Sequence, residues 1–312
     1  MGKLARQAFA SFACLAAVFG LAACGSSAAQ DSGSGRDPGE LVFASIPSEN
    51  ATSLQQEMHP LVAMLERETG KKIKVQNATN YAAVIEGQRA GKIDIAAYGP
   101  LSYVVAKANG VRITPIGAQV QRKGDPPQYR SYGLVKAGSP IKDLAGFNGK
   151  KVCFVDPNST SGYLYPKAGL TEAGVDPDKG ISPVMSGGHD ASALAVANGQ
   201  CDAGFAYDSM VDKLLPQRGQ LPKNALRVVW KSAMIPGSPI AISDNLPGQT
   251  KHQLTQAFAG KANADYLRTK GFCSGNCDIQ GYWGYAPVTD KDFDSVRKVC
   301  AITKDVQCRQ AS

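Results

Sequence analysis

The sequence has few charged and few aromatic residues, and its basic residues form no cluster. Charged residues make up 19% of the 312 positions and aromatic residues 7%. The 34 basic side chains outnumber the 26 acidic ones but are scattered, so the chain lacks the basic stripe typical of nucleic-acid binding. The hydrophobic content of 43%, with 33 glycines and 18 prolines, excludes a disordered or collagen-like chain and predicts one large or two ordinary folded domains.

The apolar stretch at the N-terminus is too short to span a membrane. It runs from Ala8 to Ala23 after two basic residues, whereas a spanning helix needs ~20 apolar residues. Residues 1–23 are therefore predicted to be a secretory signal peptide. The stretch ends in the sequence LAAC, the lipobox pattern of bacterial lipoproteins. Cys24 is expected to carry the lipid and begin the mature chain; an ordinary signal peptide with a chance cysteine is the alternative.

Residues 24–39 read as a flexible polar tether, since positions 25–38 have the sequence GSSAAQDSGSGRDP. Removal of the signal peptide takes away two basic side chains and leaves 32 against 26, a net charge of +6. The mature protein is expected at the extracytoplasmic face of the cell membrane, held there by its lipid.

The cysteine count agrees with an exported protein. One of the eight cysteines lies in the signal peptide and Cys24 is predicted to be lipidated, which leaves six. An even number of cysteines outside the cytoplasm favours disulfides over a metal site. Fifteen pairings are possible, but the spacings favour the pairs Cys273 with Cys277, Cys300 with Cys308, and Cys153 with Cys201.

Short apolar segments alternate with helical segments from Leu41 onward, which is typical of an α/β fold with largely parallel sheets. The same βα unit recurs from Lys151. The extended stretches 130–136 and 239–243 are suited to cross between the two halves. The sequence therefore predicts a clamshell of two lobes joined by two crossover strands: residues 40–130 plus 240–312 as the first lobe, with a C-terminal elaboration, and residues 131–239 as the second.

Polar turns follow several of the predicted strands, where ligands bind in open α/β sheets. The turn Asn158–Gly162 offers three hydroxyl groups at a predicted helix N-terminus, which suits a phosphate-like or sulfonate-like anion. Simple helix capping is the alternative. His189 follows two glycines at another helix start, and Tyr81 and Tyr98 occupy similar turns.

An enzyme is not expected. Ser159, His189 and Asp208 contain the residue types of a hydrolase triad, but the sequence has no Gly-x-Ser-x-Gly elbow. The polar turns also lack paired carboxylates for acid and base catalysis.

Four segments resemble the phosphate/phosphite/phosphonate-binding family, the substrate-binding proteins of ABC importers with the two-lobed type II periplasmic-binding fold. The resemblance covers about Leu41 to Pro247. The segments occur in the family's order and have the sequences NYAAVIE (80–86), GKIDIAAYGP (91–100), DPNSTSG (156–162) and GHD (188–190).

The resemblance implies a ligand site and a role in import. Its residues would be the hydroxyls and amides of Ser159, Thr160 and Ser161, with Tyr81, Tyr98, His189 and Asp208. The chain would be a monomer that binds phosphite, phosphate or a small phosphonate, needs no cofactor or metal, and delivers its ligand to an ABC permease. The same fold could instead bind a sulfonate or a cofactor precursor.

One departure from the family pattern bears on the ligand. Aminoalkylphosphonate binders tend to carry an acidic residue in an Ile-Pro-x-Asp-Pro turn, but residues 235–239 read IPGSP. The sequence therefore favours an inorganic oxyanion or a neutral-tailed phosphonate.

Overall fold

The computed structural model describes residues 37–309. The predicted signal peptide, Cys24 and nearly all of the predicted tether lie outside these residues. No helix between residues 37 and 309 is both long enough and apolar enough to cross a membrane.

The chain first builds alternating strands and helices, as the sequence predicts. These elements are β1 (Glu40–Ser45), α1 (Ala51–Thr69), β2 (Lys72–Asn77), α2 (Tyr81–Arg89), β3 (Ile95–Ala97), α3 (Pro100–Ala108) and β4 (Ile113–Val120). Helix α1 begins at Ala51. The Asn50 side chain caps it by accepting hydrogen bonds from the N–H groups of Thr52 and Ser53, at 3.0 and 3.4 Å.

A second set of strands and helices follows. Its elements are β5 (Gln128–Tyr129), β6 (Ser131–Lys136), β7 (Lys151–Phe154), α4 (Tyr165–Glu172), β8 (Ser182–Met185), α5 (His189–Ala197), β9 (Ala203–Tyr207), α6 (Leu215–Gln217) and β10 (Leu226–Lys231). Wider π-helical turns precede two of the helices, at Thr160–Leu164 before α4 and at Met210–Leu214 before α6.

The chain then returns to the first sheet and ends in helices. The remaining elements are β11 (Ile235–Pro236), β12 (Pro239–Ser243), α7 (Gly248–Gly260), α8 (Ala264–Thr269), β13 (Gly284–Ala286) and α9 (Asp294–Thr303).

Two mixed sheets define two lobes within residues 37–309. The first lobe has the strand order β13-β4-β12-β3-β1-β2, and the second has the order β10-β6-β9-β7-β8. In each lobe three neighbouring strands pair in parallel, namely β2, β1 and β3 or β8, β7 and β9. The sequence predicts largely parallel sheets, whereas both sheets of the structure contain parallel and antiparallel pairs. Strands β12 and β6 arrive from the opposite lobe and enter at the carboxyl edge, so they run antiparallel to β3 and β9.

The crossing segments pair with each other between the lobes. Strands β5 and β11 form a short antiparallel ribbon, with Tyr129 opposite Ile235 and Gln128 opposite Pro236. Gly237 follows directly and is closely packed, since an added Cβ would lie 2.4 Å from the Gln119 carbonyl oxygen. The ribbon therefore lies where the chain crosses between the lobes.

The C-terminal helix α9 contacts both lobes. It packs against α3 of the first lobe and α4 of the second. The hydroxyl of Tyr103 in α3 donates to Asp290 at 2.7 Å, and the Nζ of Lys167 in α4 donates to Asp305 at 2.9 Å. Helix α9, which is predicted from the sequence to belong to the first lobe, therefore contacts both lobes.

Three disulfides lie within the described residues. They join Cys153 to Cys201, Cys273 to Cys277, and Cys300 to Cys308, which are the pairs that the spacings favour. The first links β7 to the turn before β9 inside the second lobe, so it does not tie the lobes together.

Removal of the disulfide inside the second lobe is expected to destabilise the protein. The double variant Cys153→Ser/Cys201→Ser should lose about 2–4 kcal/mol of unfolding free energy, because the bridge constrains a long loop in the unfolded chain. Urea denaturation under non-reducing conditions measures the loss. The control Cys273→Ser/Cys277→Ser opens a loop with a sequence separation of 4 rather than 48 and should lose less. Equal losses of unfolding free energy in the two double variants would contradict the argument from loop length.

Candidate anion-binding site

A cavity lies between the two lobes at the carboxyl ends of the parallel strands. Its volume is about 40 Å³, room for about three water molecules, so it suits a small and compact ligand. Its polar lining residues are Ser45, Ser48, Tyr81, Tyr98, Gln119, Tyr129, Ser159, Thr160, Ser161, His189, Tyr207, Ser238, Gln280, Tyr282 and Tyr285. No aspartate, glutamate, lysine or arginine among residues 37–309 contributes to this lining.

Four helical segments begin at the cavity. Tyr81 and His189 are the first residues of α2 and α5, Gly99 caps α3, and Ser159 caps the π-helical turn before α4. The first N–H groups of a helix have no partner within the helix, and the helix dipole places partial positive charge there. The cavity therefore favours an anion although its lining side chains are neutral.

The turn that begins at Ser159 is tightly held. The Ser159 hydroxyl accepts a hydrogen bond from the N–H of Gly162 at 3.0 Å. The carbonyl oxygen of Ser161 accepts one from the hydroxyl of Ser131 in β6 at 2.6 Å. Asp156 accepts one from the N–H of Asn158 at 2.8 Å. Ser159 thus caps its helix, the simpler of the two sequence interpretations, and also faces the cavity.

Thr160 connects the two lobes directly. Its Oγ1 accepts a hydrogen bond from the N–H of Leu101, in the first turn of α3, at 2.7 Å. A hydroxyl can accept and donate at the same time, so the Thr160 proton remains able to reach a ligand oxygen. The backbone N–H of His189 likewise donates across the cleft to the Ser48 carbonyl at 2.8 Å. These contacts mean that the structure has its lobes closed.

His189 is a neutral hydrogen-bond donor in this site. Its Nδ1 accepts a hydrogen bond from the backbone N–H of Tyr207 at 3.2 Å, so the ring proton belongs on Nε2. That nitrogen lies 3.4 Å from the hydroxyl of Ser159 and faces the cavity. Burial lowers the pKa of His189 to about 3. The imidazole therefore stays uncharged above pH 3 and can donate from Nε2 to a ligand oxygen.

Burial of a neutral His189 predicts acid-sensitive folding. The folded pKa of about 3 lies below the ordinary value of 6.5, so the unfolded chain takes up the proton first. The contribution of this residue to stability is complete above pH 6.5 and falls on acidification by up to about 1.4 kcal/mol per pH unit. Urea denaturation between pH 7 and 4 measures how steeply the free energy of unfolding changes with pH. His189→Gln should show a shallower slope, whereas the exposed control His252→Gln should not.

Three tyrosines present unpaired hydroxyls at the cavity. Tyr81 and Tyr98 are 1% exposed and Tyr285 is 5% exposed. None of their hydroxyl oxygens makes a well-formed hydrogen bond in the described part of the chain, although Ser159 lies near the Tyr81 hydroxyl and Gln119 near the Tyr285 hydroxyl. Burial raises the pKa of each phenol above its usual value, so all three stay protonated. A buried hydroxyl without a partner is costly, and a ligand in the cavity would supply the missing acceptor.

Asp208 does not line the cavity, contrary to the role expected for it. One carboxylate oxygen accepts hydrogen bonds from the Gln121 side chain at 2.9 Å and the Arg130 N–H at 3.0 Å. The other accepts from the Ser209 N–H at 2.8 Å. The carboxylate therefore joins the end of β9 to the chain that crosses between the lobes.

Several lining residues were missed in the sequence because they come from distant segments. Gln119 lies in β4, Tyr207 ends β9, and Gln280, Tyr282 and Tyr285 belong to the C-terminal elaboration. The run of aromatic residues after Cys277 was the one signal that could have pointed to this contribution.

The fold and the site together define the substrate-binding protein of an importer. A sequence model described as ABC transporter, phosphonate, periplasmic substrate-binding protein matches residues 43–292. The chain belongs to this family, which confirms the resemblance drawn from its motifs.

The relatives agree with this membership. The chain is 45% identical to the phosphate-import protein PhnD of Mycolicibacterium smegmatis, over 98% of each chain. It is 34% identical to the phosphonates-binding periplasmic protein of Escherichia coli, over 70% of this chain and 65% of the relative. It is similar to the crystal structure of a binding component of an ABC phosphonate transporter from Pseudomonas aeruginosa. That structure is 27% identical, with a TM-score of 0.75 over 86% of this chain and 87% of the other. The predicted two-lobed fold is confirmed.

Proposed function

We propose that this protein captures a small phosphorus oxyanion outside the cytoplasm and delivers it to an ABC permease. The ligand is phosphate, phosphite or a phosphonate with a small neutral tail. The observation that carries the proposal is the cavity lining, in which neutral donors and helix N-termini converge and no charged side chain of residues 37–309 takes part. The named functions of the relatives, phosphate import and phosphonate binding, agree with it.

The donors suit a tetrahedral anion because they approach it from both lobes. Tyr81 and Tyr98 come from the first lobe, and the Ser159–Ser161 turn and His189 come from the second. Each hydrogen bond to a charged oxygen contributes about 1.5–3 kcal/mol. The ligand binds tightly when donors from both lobes surround it, so binding favours the closed arrangement.

The absence of a carboxylate from the lining disfavours an aminoalkylphosphonate. Among the described residues, Ser238 lines the cavity in the turn where the family pattern places an acid, and Asp208 is used elsewhere. An ammonium group in this cavity would be buried without a partner of opposite charge, which is strongly unfavourable. The small cavity volume also disfavours an aminoalkylphosphonate.

Capture of a ligand, rather than catalysis, accounts for a cavity that is lined by donors from two lobes. The lobes open about the β5–β11 ribbon, the anion enters, and contacts from both lobes hold the closed form that a permease recognises. We infer that the mature protein acts as a monomer, with the lipid on Cys24 keeping it at the outer face of the membrane and the polar tether providing reach.

Calorimetric titration of the full chain, purified in mild detergent and freed of bound ligand, tests this function. Phosphate, phosphite, methylphosphonate and aminoethylphosphonate are titrated, with sulfate as the control anion. Tight binding of one of the first three is expected, with aminoethylphosphonate weaker. Thr160→Ala should weaken binding about 10- to 150-fold.

A matched threonine provides the control for that variant. Thr171 lies in α4 of the same lobe, and its hydroxyl donates to the Lys167 carbonyl at 2.9 Å, away from the cavity. Thr171→Ala should therefore bind like the unmodified protein. Tighter binding of aminoethylphosphonate than of phosphate and phosphite would refute the selectivity, and tighter binding of sulfate would move the ligand class to sulfur oxyanions.

A further inference from the structure

An ion pair crosses between the lobes beside the cavity. Arg218 follows α6 in the second lobe, and its Nη2 donates hydrogen bonds to Oε2 of Glu49 and Oε1 of Glu57. Glu49 follows β1 and Glu57 lies in α1, so both carboxylates belong to the first lobe. One guanidinium group thus joins two acidic side chains across the cleft.

The ion pair is largely withdrawn from water. The Glu49 side chain is fully buried, and 17% of Arg218 and 23% of Glu57 are exposed. Burial and the neighbouring Glu57 carboxylate raise the pKa of Glu49 to about 7, while Arg218 opposes the rise. Without the guanidinium, closure would bury the two first-lobe carboxylates with no counter-charge.

Two glutamines connect this ion pair to the ligand cavity. The Nε2 of Gln280 donates to Oε1 of Glu49 at 3.4 Å, and the Nε2 of Gln119 donates to Oε1 of Gln280 at 3.0 Å. Both glutamines line the cavity. A chain of hydrogen bonds therefore runs from Arg218 to the cavity wall.

The segment that carries Arg218 also contacts the loop that carries Gln280. The Nζ of Lys213 donates to the Gly281 carbonyl at 2.9 Å. Gly281 packs on Leu214, since an added Cβ would lie 3.2 Å from its Cδ2. The second lobe thus holds the 280–281 loop by a direct contact next to the ion pair.

We propose that Arg218, Glu49 and Glu57 form an interlobe latch that retains the ligand, and that Gln280 and Gln119 couple the latch to the cavity. Arg218 does not line the cavity, so it is a positioning residue that acts through lobe closure. The latch rests on the proposed function and adds the residues that set how long the closed state lasts.

The latch affects the free energy of the closed state rather than that of the open state, because its charged side chains lose contact with water when the lobes close. In an open arrangement Arg218 is separated from the two carboxylates and all three side chains are hydrated, so loss of the guanidinium costs little. In the closed arrangement the same loss leaves buried carboxylates without a counter-charge, which is strongly unfavourable. Truncation of one partner of a buried ion pair changes dissociation more than association.

Stopped-flow kinetics on the full chain test the latch, with inorganic phosphate, or phosphite if it binds more tightly, as the probe. Arg218→Gln should raise the dissociation rate about 30-fold or more. The association rate and the melting temperature of the unliganded protein should hardly change. Arg227→Gln is the matched control, because Arg227 donates to the carbonyls of Ser139 and Ile141 within its own lobe.

A rescue variant separates the latch from a purely structural role. Adding Glu49→Gln and Glu57→Gln to Arg218→Gln removes the uncompensated charge, so the dissociation rate should return most of the way to that of the unmodified protein. An unchanged dissociation rate in Arg218→Gln would overturn the latch alone. A matching loss of unliganded stability would also overturn it. Failure of the unmodified protein to bind any phosphorus anion would overturn the proposed function and the latch together.

Discussion

Gly162→Ala is expected to remove ligand binding almost completely. An added Cβ would lie 2.3 Å from Cγ2 of Val155, 2.5 Å from its Cβ and 2.8 Å from the hydroxyl oxygen of Ser159. Neither neighbour can move without displacing the turn that carries the three hydroxyls. Such a displacement breaks several ligand contacts at once, so affinity should fall by about 100-fold or more. Calorimetric titration measures the fall.

The accompanying loss of stability should be modest in comparison. Overpacking of a closely packed position costs about 1–3 kcal/mol, which a protein of this size tolerates. Gly138→Ala is the control: it lies in a turn of the same lobe, and nothing stands within 4 Å of the added methyl group. It should bind and unfold like the unmodified protein. Full affinity in Gly162→Ala would show that the turn does not hold the ligand.

The local part of the site could be predicted from the sequence because short-range chemistry determines it. Asn80, a residue type favoured at helix N-termini, caps α2, with its side chain accepting from the Ala83 N–H at 2.8 Å. The hydroxyl-rich turn at Ser159–Gly162 also falls where a strand meets a helix. Since carboxyl ends of parallel strands share one sheet edge, Tyr81 and Tyr98 could be expected to lie together in the first lobe, and the Ser159 turn and His189 in the second.

The rest of the site depends on contacts between distant segments. Glu49 and Arg218 are 169 positions apart, and neither has a local pattern that marks its partner. Asp208 lies at a strand end like the other candidates. One of its carboxylate oxygens, however, accepts hydrogen bonds from Gln121 and Arg130 in the chain that crosses between the lobes. Tyr285 reaches the cavity through β13, which pairs with β4 after a separation of more than 160 residues.

Removal of the buried hydroxyls should weaken ligand binding without weakening the fold. Tyr81→Phe and Tyr98→Phe each keep the ring and lose an oxygen that has no partner within residues 37–309. A ligand would lose one donor in each variant, so affinity should fall about 10- to 150-fold. The melting temperature of the unliganded protein should stay the same or rise, because an unpaired buried hydroxyl is itself destabilising.

A tyrosine with a structural partner should behave in the opposite way. The hydroxyl of Tyr103 donates to Asp290 at 2.7 Å and does not face the cavity. Tyr103→Phe should therefore lower the melting temperature and leave the affinity for phosphate nearly unchanged. If Tyr81→Phe and Tyr98→Phe resembled Tyr103→Phe in this comparison, their hydroxyls would be structural and the ligand would lie elsewhere. A double variant at Tyr81 and Tyr98 whose loss equals the sum of the two single losses in free energy would show that each phenol contacts the ligand independently.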